Sequence, residues 1–254
     1  MLNESLLITF LLIMVRVGSY LMTIPFFSIR NFPKLIKVGL VVVISYLTLG
    51  LVPSVEIELK SLIQLGGMAI NEAIIGLALG YACNMIFLGI QAAGDLIDSL
   101  AGLKMSSSYD PVSGTSGTLF SNLYNWIGLI LFLNMDGHYY LLKGLINTFF
   151  IYPIAQDQII MFDLNSIVVL ITRGFLISVQ LALPIGIIMF LIDILLGMIC
   201  RAVPQINVFI LGMPLKLIVS VFSFVLLVNG ITNSVAWALD SVIEILDVMA
   251  KSIF

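Results

Sequence analysis

Residues 62–103 read LIQLGGMAINEAIIGLALGYACNMIFLGIQAAGDLIDSLAGL. The stretch has no proline and keeps a helix-compatible pattern from end to end. At ~1.5 Å per residue its roughly 42 residues make a rod of about 63 Å, twice the ~30 Å thickness of bilayer hydrocarbon. Either the chain folds back as a tight hairpin near Asn84, or one helix projects well beyond a bilayer. Ala69, Ala73, Gly76 and Gly80 recur at spacings that share one helix face. Small residues in that pattern let two helix backbones approach closely, within a bundle or between subunits.

The rest of the chain sets the solvent around that rod. Of 254 residues, 61% are hydrophobic and 10% charged, and the mean hydropathy is +1.18. A soluble domain is about half apolar and about one quarter charged. So little charge cannot cover a globule with water-compatible surface, and lipid must be part of the solvent. Lipid satisfies no backbone N–H or C=O group, so only helices or closed barrels span it. Barrel strands alternate apolar and polar residues. Runs such as 40–52 and 217–228 do not alternate, so the fold class is an all-α integral membrane protein. The net charge of −3 is scattered singly, with no basic patch for nucleic acid.

Working outward, helix one is expected over residues 5–27, with Arg16 inside it and Pro25 near its end. Glu4 and the lack of an early basic residue argue for a permanent helix rather than a removable signal peptide. A basic turn spanning 30–37 leads to helix two, expected over 35–52 and stopped by Pro53. The next loop holds Glu56 and Glu58 against Lys60, so the positive-inside rule puts the basic turn in the cytoplasm.

After the long third segment comes Lys104-Met105-Ser106-Ser107-Ser108-Tyr109-Asp110-Pro111-Val112-Ser113-Gly114-Thr115-Ser116-Gly117. Its serines, proline and glycines make helix improbable, and Asp110-Pro111 favours extended or turn backbone. An apolar stretch over 119–154 is broken by Asp136-Gly137-His138 and ended by Pro153. That break is read as a turn whose Asp and His bond to backbone, although a histidine near neutrality also permits a pH switch. The last 90 or so residues form a long hairpin, 164–200 and 206 onward, turning at Arg201-Ala202-Val203-Pro204-Gln205. Asp240, Glu244 and Asp247 place an acidic stripe on its final turns.

Catalytic and cofactor chemistry finds little foothold. His138 is the single histidine, which excludes paired-His metal sites, and neither a P-loop nor GxGxxG occurs. No catalytic, metal or cofactor residue is assigned. Gly114-Thr115-Ser116-Gly117 matches the short element around an intramembrane-protease serine. Its only possible base, His138, lies about 22 residues on, or ~33 Å if helical, so that reading is set aside. Cys83 and Cys200 sit far apart in apolar runs and read as small core residues. Arg16, Glu72, Asp95, Asp98, Lys143, Arg173, Asp193 and Lys216 lie in or near apolar runs, where isolated charge costs about 2.5–3.5 kcal/mol. Pairing inside the bundle or with partner subunits offsets that cost. A polytopic solute or ion transporter is the alternative, but the polar residues are not gathered at one depth in two broken helices.

Three motifs carry a resemblance: Asp110-Pro111-x-Ser113-Gly114; Leu131-Phe132-x-x-x-Asp136-Gly137-His138-Tyr139; and Pro204-Gln205-x-Asn207-Val208-Phe209-x-x-Gly212-x-Pro214-x-Lys216. With these, the chain resembles the FliR family of bacterial flagellar export, which includes the matching subunit of virulence type III secretion. The Asp-Gly-His-Tyr form is similar to the flagellar branch. The resemblance implies a non-enzymatic, cofactor-free subunit of a protein-export gate in the bacterial inner membrane, at the flagellar basal body. It implies FliP-like and FliQ-like partners, an FlhB-like protein nearby, and unfolded flagellar proteins as substrate. It also implies a FliP-like region over 1–163 and a FliQ-like hairpin over 164–254.

The resemblance further implies that the loop at about 102–117 plugs the lumen, through Met105, Ser106, Ser107, Ser108, Asp110, Pro111, Ser113, Gly114 and Gly117. Small, flexible residues there suit a strap that fills an irregular opening, or else an exposed periplasmic turn. Subunit contacts are expected at Ala69, Ala73, Gly76 and Gly80, at the hairpin tip through Pro204, Gln205 and Asn207, and at Lys216.

Overall fold

Wherever the described sequence is apolar it is helical. The structure, a computed structural model, describes residues 2–25, 33–52, 62–104, 118–155, 164–203 and 208–252. In chain order these form α1 (Leu2–Thr23), α2 (Lys34–Leu49), α3 (Leu62–Leu100), α4 (Leu119–Asn134), α5 (Gly137–Ile151), α6 (Leu164–Ala202) and α7 (Val208–Ser252). No strand occurs among the described residues. Glu4–Thr23, α3, α6 and Gly212–Asp240 are each long and apolar enough to cross a membrane. The chain is an all-α integral membrane protein.

The third segment resolves into one continuous helix. Asn84 lies inside it, half-buried, with no fold-back. Its 39 residues give about 58 Å of rod. Helix one runs from Leu2 to Thr23, starting before the expected residue 5 and ending ahead of Pro25; residues 26 and 27 lie outside the described residues. Thr23 turns its hydroxyl back to the carbonyl of Tyr20 at 2.8 Å, and Pro25 offers no N–H to continue the ladder.

The break in 119–154 falls where expected, at Met135 and Asp136, but by a different device. Asp136 takes the left-handed conformation (φ 56°, ψ 27°) and its side chain makes no cap hydrogen bond. Its carbonyl instead accepts the Tyr139 N–H at 2.9 Å.

Contacts divide the chain into two units, each drawing on both halves of the sequence. The first comprises Met1–Met85, Asp136–Ile171 and Ser241–Phe254. Within it α1 is the hub. Gly18 faces Val41 of α2. A Cβ at Gly76 would strike Ser19 and the Arg16 carbonyl, and one at Gly80 would lie 2.8 Å from the Tyr20 carbonyl. These two glycines therefore let α3 lie directly on α1. The Tyr20 hydroxyl donates to the Leu141 carbonyl of α5 at 3.0 Å.

Helix α2 is inverted relative to a soluble helix. It buries Ser45 and Thr48 and exposes Val42, Val43, Tyr46 and Leu47. Lipid or protein must cover that outer face.

The second unit comprises Ile86–Met135 and Thr172–Asp240. Gly89 meets the Gly174 backbone, where a Cβ would lie 2.6 Å from its carbonyl oxygen. Phe224 stacks at a tilt on Phe120 and Tyr124, with centroids 5.6 and 6.0 Å away. Pro184 removes one rung from the α6 ladder. One turn before it, the Tyr124 hydroxyl donates to the Leu181 carbonyl at 3.3 Å, a neighbouring helix supplying a polar partner there.

Of the charges expected in apolar surroundings, Arg16, Glu72 and Asp98 are buried. Asp95, Arg173 and Lys216 are half-buried, and Lys143 and Asp193 are exposed. Cys83 is a core residue, but Cys200 is exposed, because it sits on the outward side of α6 near its end. Asp240 is exposed, while the side chains of Glu244 and Asp247 lie outside the described residues. Arg30, Glu56, Glu58 and Lys60 lie outside them too.

Candidate functional site at the roots of the polar loop

The polar stretch begins where α3 ends, and the ending is specific. Gly102 adopts φ +81°, a conformation that costs glycine nothing. The Leu103 N–H reaches the Asp98 carbonyl at 2.9 Å and the Gly102 N–H reaches Ser99 at 3.2 Å. This is a Schellman cap, the geometry that satisfies the orphan carbonyls of a last turn.

Asp98 also serves the other root. Its side chain is completely buried. Oδ1 accepts the Phe120 N–H at 3.1 Å, and Oδ2 accepts the Ser121 N–H at 2.9 Å together with the Thr118 hydroxyl. Phe120 and Ser121 stand in the first turn of α4, whose N–H groups have no partner within the helix. Thr118 occupies the capping position but makes no cap bond of its own. An aspartate from the preceding helix caps α4 in its place. The anion there is also favoured by the α4 dipole. One residue thus ties the end of α3 to the start of α4, by its carbonyl on one side and its carboxylate on the other.

Lys216 of α7 braces the same corner. Its ammonium pairs with Asp193 of α6 and donates to the Leu100 carbonyl at 3.3 Å, at the last residue of α3. Gly186 of α6 faces the Leu100 side chain. A cation on the last carbonyl of a helix complements its negative end.

A second buried constellation lies in the first unit. Arg16 of α1 donates through Nε to Glu72 of α3 at 2.5 Å, and both side chains are almost wholly buried. Its Nη1 takes two carbonyls at the end of α5, Thr148 at 3.3 Å and Tyr152 at 3.1 Å. The guanidinium stands 4.2 Å over the Phe149 ring. The arrangement fastens three helices with one cation. Phe149 adds a cation–π contact, stronger away from water.

The structure treats the sequence-predicted residues unequally. Gly76 and Gly80 pack on α1 of the same chain, and Ala69 and Ala73 are half-buried. Lys216 has its partners within its own chain. Met105, Ser106, Ser107, Ser108, Asp110, Pro111, Ser113, Gly114 and Gly117 lie outside the described residues, as do Ser116, Pro204, Gln205 and Asn207. His138 is exposed in the first turn of α5. Sequence reasoning marked Asp98 only as a charge needing a partner. The Ala101-Gly102-Leu103 ending was the local signal that a cap lies there; that Thr118 and α4 complete it is a tertiary fact. Among the described residues no group of His, Cys, Asp and Glu is placed to hold a metal ion.

The sequence matches the family described as bacterial export proteins, family 1, over residues 7–242. It is 32% identical to flagellar biosynthetic protein FliR of Bacillus subtilis, over 83% of this chain and 82% of that protein. It is 29% identical to FliR of Escherichia coli, covering 82% and 79% of the two chains, and 27% identical to FliR of Aquifex aeolicus, covering 89% and 87%. With the match running from α1 nearly to the end of α7, the chain belongs to the family of bacterial export proteins that contains FliR.

Proposed function

We infer that this chain is a non-enzymatic subunit of the flagellar protein-export gate. Family membership supports a component of the flagellar export apparatus. The observation that carries the finer reading is the outer surface of the hairpin arms. In the most apolar stretches of α6 and α7, 17% of the residues are buried, against 56% in α3. A pair of long helices that bury so little in their own chain is built to be covered by something else.

The covering proteins in this reading are FliP-like and FliQ-like subunits, with an FlhB-like protein nearby, in the bacterial inner membrane at the basal body. The conduit they form passes unfolded flagellar proteins. Residues 1–163 act as the FliP-like part and 164–254 as the FliQ-like hairpin, with the basic turn on the cytoplasmic side. Ala69, Ala73, the 204–207 tip and the hairpin arms contribute to subunit contacts, and residues 102–117 plug the lumen. Among the described residues, the cavity between α6 and α7 is lined by Gln180, Asn233, Ser234 and Trp237 together with apolar side chains.

Mass analysis of the complex that co-purifies with tagged chain tests this. A large hetero-oligomer containing FliP-like and FliQ-like subunits is the expected result. A stable monomer or a small homo-oligomer overturns the reading. Deleting residues 106–117 is expected to leave that complex assembled but leaky to small ions.

A further inference from the structure

We propose that the cavity between α6 and α7 is a contact site for the main chain of an extended polypeptide passing through the gate. The proposal rests on the reading of this chain as an export-gate subunit, and names a place where that subunit meets its cargo.

The cavity measures about 470 Å3, within the range of roughly 300–1,000 Å3 typical of ligand pockets. Its polar wall is made by Gln180 of α6 and by Asn233, Ser234 and Trp237 of α7. All four are exposed. Elsewhere the outer sides of these two helices carry aliphatic side chains, as at Leu183, Ile187 and Val225. An amide turned toward hydrocarbon loses its hydrogen bonds to water and gains none in return. A cluster of such groups on the outside of so apolar a helix pair therefore calls for a polar occupant.

The wall offers both halves of a hydrogen bond. Gln180 and Asn233 each carry an NH2 and a carbonyl oxygen, and Trp237 carries an indole N–H. The Ser234 hydroxyl donates to the Gly230 carbonyl at 2.9 Å, which leaves its lone pairs to accept. Gln180 has a second acceptor in its own backbone. Four residues on stands Pro184, which has no N–H, so the Gln180 carbonyl lacks the donor that a regular helix supplies. All of these groups are neutral.

That chemistry selects among occupants. A lipid tail has no hydrogen-bonding group. A companion helix spends its backbone N–H and C=O groups on itself and has only side chains to offer. An extended chain presents one donor and one acceptor at every residue but proline, whatever its side chains. Neutral amides meet those groups without preferring acidic or basic sequence, and main-chain bonds of this kind give affinity independent of sequence. Each bond is weak in net terms, so a segment held this way is also released.

The test uses the assembled complex in cells, with a flagellar export substrate fused to a tightly folded domain so that it halts in the conduit. Ser234→benzoylphenylalanine and Trp237→benzoylphenylalanine report on illumination what fills the cavity. Ile218→benzoylphenylalanine and Val225→benzoylphenylalanine, at exposed positions of the same helix, are the controls. Cross-links to the halted substrate are expected several-fold more often from the two cavity positions than from the controls. Cross-links to companion subunits alone, to lipid alone or to nothing, in a complex that still exports, overturn the site and leave the gate reading intact. A chain that joins no hetero-oligomer sinks the gate reading, and this proposal with it.

A second readout asks whether the main chain is what is held. Gln180→Leu combined with Asn233→Leu is expected to slow export by roughly fivefold, the factor that one net hydrogen bond carries. The loss should be similar for two substrates of unrelated sequence, at an unchanged amount of complex, and Asn233→Gln should keep most of the rate. Unchanged export, or a loss confined to one substrate, overturns main-chain recognition. Should the double leucine variant fail to assemble, the cross-links decide.

Discussion

Helix α3 carries two buried carboxylates and answers them with different chemistry. Glu72 meets a guanidinium, and the pair ties α3 to α1 and to the end of α5. Asp98 meets backbone N–H groups and a hydroxyl, and ties α3 to the start of α4. The first is a cancellation of charge: neither partner is tolerable in an apolar bundle without the other. The second uses the charge, because an anion is what the first turn of a helix attracts. Glu72 therefore reads as a staple between helices and Asp98 as a cap that joins the end of α3 to the start of α4.

The largest expected effect falls on the staple. Arg16→Leu or Glu72→Leu alone leaves an uncompensated buried charge, which costs about 3–5 kcal/mol. Accumulation of the chain and its resistance to detergent or protease should drop sharply in either single variant. The double leucine variant should regain most of the loss. If the double variant is as poor as the singles, the pair is more than a cancellation and the contrast with Asp98 weakens.

Next comes the close approach beside the staple. Gly80→Ala places a methyl against the Tyr20 carbonyl and Thr23, and overpacking of this kind costs about 1–3 kcal/mol. Gly67→Ala on the same helix meets nothing within 4 Å, so it should be neutral or mildly stabilising. Thermal unfolding of the purified complex separates the two. Equal effects would mean that α3 does not lie on α1 as described.

At the Asp98 end, Asp98→Asn should cost about 1–3 kcal/mol locally and speed hydrogen exchange at Phe120 and Ser121. Unchanged exchange there would mean that α4 is capped by something else. The smallest effect belongs to Lys216→Met. Asp193 is 44% exposed and stands outside the core, so this pair does not tie buried helices together as Arg16–Glu72 does. A loss as large as that of Arg16→Leu would show Lys216 to be a second staple.

Much of this molecule was legible in its sequence, and the reasons are local. Apolar runs without alternation specify helices in lipid. Pro25 and Asp136-Gly137 mark an end and a break through backbone chemistry that needs no tertiary partner. Helix two, by contrast, stops at Leu49 with Gly50 as its cap, short of the expected 52. The glycine face at 76 and 80 was readable as a seam because spacing alone puts both on one side. What the spacing left open was the occupant of that seam; the structure places α1 there.

Charge pairing was not legible. Arg16 and Glu72 are 56 positions apart, and nothing near either one names the other. Asp98 and Thr118 are 20 apart and meet only because α3 and α4 return to the same corner. Cys200 was misplaced for a related reason. In a membrane helix the outward face is as apolar as the core, so hydrophobicity no longer tells inside from outside.

The sparse burial of α6 and α7 also bears on how the cell must make this chain. On the export-gate reading proposed above, a newly inserted copy carries two long rods whose outer sides have no cover from their own chain until companion subunits arrive. Copies produced in excess are therefore expected to be cleared by membrane proteolysis, and the amount at steady state should follow the supply of companions rather than the rate of translation.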